Sequence, residues 1–146
     1  MMCKGGIVMK KVVDILIQNE YTFIAIKDNF EYHSKLNGIA PIMNKMLEDE
    51  LFFQGCNVAD KVIGKSAAML LIKSQVKHIH AVVLSEHAKD ILDKYKVSYS
   101  YDKIVPYIIN RTHTGMCPME KSVLEINDLN QAFVTLQDTL EKLKKK

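Results

Sequence analysis

The chain has 146 residues, 48% of them hydrophobic and 25% charged, with a net charge of +3. That length suits one domain, residues 1–146 with a core over about 9–143, and is enough to bury a core of its own. Part of the basic excess is Lys144-Lys145-Lys146, and no basic stripe alternates with aromatics, so a nucleic-acid surface is not expected. Nor is a membrane span, since no apolar run reaches about 18 residues.

Met9, Val12, Val13 and Leu16 share a helical face, and the first helix is expected to end near Asn19. Tyr21 to Lys27 is β-branched and aromatic, a strand covered on two sides. Asp28-Asn29 then turns the chain into a more polar strand through Phe30, Tyr32, Ser34 and Leu36, giving a hairpin. Pro41 opens a helix that continues through Ile42, Met43, Met46 and Leu47.

Asn57 to Leu71 reads as one buried helix capped by Asp60, with Gly64, Ala67 and Ala68 forming a narrow groove. Gly64-Lys65-Ser66 matches the tail of a phosphate-binding loop, but the first glycine of that motif is replaced by Ala59. Val62, Ile63, Ala67 and Leu70 keep helical spacing through it, so no nucleotide-triphosphatase loop is expected. Asp60, Lys61, Lys65 and Ser66 gather on two turns near a helix start, which favours an anionic ligand.

Val76 to Leu84 is a strand that ends fully apolar, and His78 and His80 share one of its faces without a further metal motif. Ser85 is an N-cap for a helix carrying Ala88, Ile91, Leu92 and Tyr95. Val97, Tyr99 and Tyr101 alternate as a strand, Ile104 to Ile109 has no assigned state, and Asp128 caps the last helix. The order α-β-β-α-α-β-α-β predicts a three-layer α/β/α sandwich around a mixed sheet.

The loop Asn110 to Glu120 concentrates polar groups. Arg111 suits a phosphate or carboxylate, Cys117 at a helix start suits a nucleophile, and Glu120 suits a general base or a capping box. Three widely spaced cysteines make no disulfide framework. Met1 to Gly6 lacks the pattern of a secretory signal, so a cytoplasmic protein is expected.

Tyr21-Thr22-Phe23, Val58 to Ala68, Val105 to Arg111 and Gly115 to Lys121 together resemble an uncharacterised bacterial and archaeal family, a domain of unknown function whose fold resembles the cytidine deaminases. Those enzymes need a His or Cys ligand two residues before a Glu, then P-C-x-x-C. Val58-Ala59-Asp60 and Ser85-Glu86-His87-Ala88 supply neither, so the resemblance implies a deaminase-like fold without zinc chemistry and with no cofactor. It implies a pocket where the helix starts near Asp60 and Glu86 meet, holding a small anionic or nucleotide-like molecule. Lys61, Lys65, Ser66, Glu86, Asn110 and Arg111 are its expected binding residues. Cys117, Asp60 and Glu120 are its expected catalytic residues if it is an enzyme. The alternative is a non-catalytic homodimerising module, with the edge of the Tyr21–Leu36 hairpin and Leu51-Phe52-Phe53 as contact surfaces.

Overall fold

A computed structural model describes residues 2–110 and 112–144, with side chains from Met9 onward. Its helices are α1 (Met2–Gln18), α2 (Ala40–Glu48), α3 (Lys65–Lys73), α4 (Glu86–Lys94), α5 (Pro118–Ser122) and α6 (Leu129–Lys144). Its strands are β1 (Phe23–Lys27), β2 (Phe30–Ser34), β3 (Asn57–Ile63), β4 (His78–Ser85) and β5 (Ser98–Val105). They form one mixed sheet in the order β2-β1-β3-β4-β5. β1 is antiparallel to both β2 and β3, whereas β3, β4 and β5 run parallel.

Helices cover both faces. Val12 and Leu16 of α1 pack on Ile24 and Ala59, making a small core on one side. The larger core lies on the other face, where Phe23, Ala25, Val58, Ile79 and Ala81 meet side chains of α2, α3, α4 and α6. From Lys65 to Ile72 every side chain of α3 is buried, and the helix packs against both α4 and α6. That explains its apolar, small-residue sequence better than amphipathicity does.

The stretch read as one helix from Asn57 to Leu71 is instead a strand, a turn at Gly64 and a helix. Val58, Ala59 and Ile63 are buried because β3 is covered on both faces, and a doubly covered strand leaves no period-2 signal to set against helical spacing. Asp60 is therefore a strand residue, not a helix cap. Ile104 belongs to β5, while Ile109 bridges to Met116 in a small hairpin. Phe53, expected on a contact surface, is fully buried.

Three helices end alike. Glu20, Gln75 and Lys96 sit at φ of 57°, 64° and 57°, in the left-handed region. In each case the next residue's N–H returns to a carbonyl five positions back: Tyr21 to Leu16, Val76 to Leu71, Val97 to Leu92. These are Schellman closures built without glycine.

Candidate functional site

Gly64 leads from β3 into α3, and Ser85 leads from β4 into α4, so the two helices start at the same end of the parallel strands. In open α/β sheets that end is where ligands bind, because free N–H groups of helix starts point there. Here Glu120 occupies it. Its Oε2 accepts the Lys65 N–H at 2.7 Å and the Ser85 hydroxyl at 2.5 Å, and its Oε1 accepts the Ile108 N–H at 2.7 Å. Ser85 also caps α4 by accepting the Ala88 N–H at 3.0 Å. One carboxylate thus serves the start of α3 directly and that of α4 through a hydroxyl.

The fit is close. A Cβ on Gly64 would lie 2.8 Å from Glu120 Oε2 and 2.9 Å from Ile108 Cγ1, so only glycine lets the carboxylate approach the helix start. Glu120 is 1% exposed. Among the described residues it neither completes a capping box for its own five-residue helix nor hydrogen-bonds the Cys117 thiol.

Beside this clamp is a cleft of about 250 Å³ between the start of α3, the outer side of α4 and the segment joining α5 to α6. Lys65, His87, Asp90, Ile91, Lys94, Leu124 and Asn127 line it. Lys65 is buried, and its Nζ donates to Leu124 O at 2.9 Å and to Asn127 Oδ1 at 3.2 Å. Tyr95 steadies the same segment by donating to Asn127 O at 2.9 Å. Two of the three ammonium donors are taken, and no carboxylate of the described residues forms an ion pair with Lys65 or Lys94. Burial pushes the Lys65 pKa down, opposed by Glu125.

Asp60 lies apart from the clamp along β3. Its register partners Phe23 and Ala81 both face the main core, so its carboxyl points the same way. After it the inward sequence slips by one position, and Ile63 and Leu84 rejoin that core while Lys61 and Val62 are exposed. The Val62 N–H donates to Asp60 Oδ1 at 3.2 Å. Burial raises the Asp60 pKa well above the ordinary carboxylate value, outweighing this bond and another from the Lys61 backbone.

The remaining expected residues separate. Ser66 is buried in α3, Lys61 is exposed on β3, and Glu86 is exposed on the first turn of α4. Asn110 closes its own loop, accepting the Thr114 N–H at 3.0 Å and the Thr112 hydroxyl at 3.2 Å. Arg111 lies outside the described residues. Cys117 is half-buried against the main core, and no hydrogen bond joins it to Asp60 or Glu120 among the described residues. Nor do three His, Cys, Asp or Glu side chains converge among those residues. Lys94 and Asn127 of the cleft and Ile108 of the clamp are not among the site residues expected from the sequence; a cleft wall drawn from α3, α4 and a distant connection has no local signature.

Residues 11–140 match the family model described as TM1506, a domain of unknown function (DUF1893). The chain belongs to that family. The crystal structure of a DUF1893 family protein (TM1506) from Thermotoga maritima is similar, with a TM-score of 0.81 and 30% sequence identity. The match covers 92% of this chain and 88% of that one. No curated protein matches. The family thus fixes kinship and fold and names no chemistry. No described helix is long and apolar enough to cross a membrane.

Proposed function

We propose that this domain binds a small anionic molecule, of the size of a phosphorylated sugar or a mononucleotide, in the cleft beside the start of α3, and that it does so without zinc chemistry. The observation that carries this reading is Lys65: a buried ammonium without an ion pair among the described residues, at a cleft that also holds Lys94 and His87. Burying a cation costs free energy that two hydrogen bonds offset in part, and an anion in the cleft would offset more. Asp90, on the same wall, would orient a hydroxyl or amine of the ligand.

The sheet order and the shared end of the two helix starts support a deaminase-like arrangement. The α3 start, Gly64-Lys65-Ser66, and the α4 start, Ser85-Glu86-His87, carry no set of His, Cys and Glu suited to zinc. With Glu120 committed to three donors, a binding module is favoured over an enzyme using Glu120 as base.

The test is thermal stability against inorganic phosphate, nucleoside monophosphates and sugar phosphates. A ligand at a hundredfold excess over its Kd stabilises by about 2.7 kcal/mol, which is several degrees in Tm. The shift is expected to shrink in Lys94→Ala and in Lys65→Met. A flat panel, or a shift unchanged in both variants, overturns the cleft.

A second reading rests on β5, an eight-residue edge strand on which Tyr101, Lys103 and Ile104 are exposed. Pairing of that edge with a second copy would make a continuous sheet and a homodimer. A monomeric mass by light scattering at high concentration excludes it.

A further inference from the structure

On the α1 side of β4 and β5, five polar side chains form one line. His78 pairs in register with Ser98 and His80 with Ser100, and His80 also pairs with Ala59 of the α1-side core. His78 Nδ1 lies 2.6 Å from Ser98 Oγ and His78 Nε2 lies 3.1 Å from Ser100 Oγ. Ser100 Oγ is then 2.7 Å from His80 Nδ1. At the end of the line His80 Nε2 stands 3.3 Å from Asp102 Oδ1.

The last contact is a close approach without hydrogen-bond alignment. His80 Nε2 is buried and has no hydrogen-bond partner among the described residues. In the neutral ring such a nitrogen is costly in either tautomer: an N–H misses the carboxylate beside it, and a bare lone pair faces an anion. A cation between the two atoms removes both penalties. Two ligand atoms about 2.0–2.1 Å from a tetrahedral ion stand roughly 3.3 Å apart, the separation found here. The exposed pair His33 and Glu31 makes the contrast, because its 3.0 Å contact is already a hydrogen bond.

We infer that His80 Nε2 and the Asp102 carboxylate are two ligands of an open site for a first-row divalent cation such as Zn²⁺ or Co²⁺. Imidazole selects these borderline ions over Mg²⁺ and Ca²⁺, which take oxygen donors. Water completes the coordination, and Asp102, whose side chain is 56% exposed on the edge strand, opens the site to solvent. The rest of the line orients the ring. With the Nε2 lone pair on the metal, His80 Nδ1–H donates to Ser100, the Ser100 hydroxyl donates to His78 Nε2, and His78 Nδ1–H donates to Ser98. Each link then carries one proton, so a single set of tautomers satisfies every contact.

The experiment is titration of the full chain with Co²⁺, followed by paramagnetic broadening of backbone amide signals and by calorimetry. Broadening is expected to centre on His80 and Asp102. His80→Gln and Asp102→Asn are each expected to weaken binding at least ~10-fold, and Ser100→Ala by roughly 10-fold, while His33→Ala leaves it unchanged. Circular dichroism confirms that each variant is folded; Asp102 is exposed, so its variant reads the site even if His80→Gln disturbs the sheet. Broadening centred elsewhere, affinity unchanged in Asp102→Asn, or no binding at millimolar Co²⁺ would each overturn the assignment.

Discussion

Two buried carboxylates meet burial in opposite ways. Glu120 receives three donors, two backbone N–H groups and a hydroxyl, at 2.5–2.7 Å. Asp60 receives the Val62 N–H at 3.2 Å with help from the Lys61 backbone, and its pKa is driven up. Fixed donors at a helix start replace the water that a carboxylate loses, whereas a strand interior has few donors left to offer. The first carboxylate ties segments together; the second is a site of latent protonation.

Breaking the Glu120 side should have the largest effect. Glu120→Ala leaves buried donors at Lys65, Ser85 and Ile108 unpaired, and a loss of roughly 3–5 kcal/mol is expected in urea unfolding. Gly64→Ala pushes the carboxylate off the helix start and should cost about 2–4 kcal/mol. If both variants unfold like wild type, the clamp holds nothing.

Asp60 should respond in the other direction. Its folded pKa is raised, so its contribution to stability is full below the unfolded value of about 4 and is lost as pH rises through the folded value. Asp60→Asn abolishes that dependence. The variant is expected to match or exceed wild-type stability at pH 7 and to lose the advantage towards pH 4. A variant less stable at pH 7 than at pH 4, relative to wild type, contradicts the assignment.

The smallest effect falls on the thiols. Cys117→Ala removes half-buried sulfur and should cost about 1 kcal/mol. In a Cys3→Ser background, a thiol reagent should label Cys117 well before Cys56, which is buried and whose pKa burial raises. Equal labelling rates would show that Cys56 is reached by local opening.

Much of this frame is legible in the sequence. The hairpin, the Pro41 helix, the Ser85 cap and the Asp128 cap appear where the residue chemistry put them. The long reading over Asn57–Leu71 failed because a strand covered on both sides and a helix buried on all sides are both uninterrupted apolar runs. Gly64 carried the missing information. Its spacing to Ala67 and Ala68 suggests a groove, whereas its task is to admit a carboxylate 56 positions away in sequence. Glu120 was selected for its chemistry, but its partners lie on three separate segments, and nothing local announces them.

The glycine-free helix closures at Glu20, Gln75 and Lys96 leave this protein with headroom. A non-glycine residue in the left-handed region carries about 1 kcal/mol of strain, and each of these lies outside the clamp, the cleft and the histidine line. Substituting glycine there should raise the melting temperature in small, additive steps. A hotter-running version of the domain is thus accessible through its connectors alone, with every proposed site unchanged.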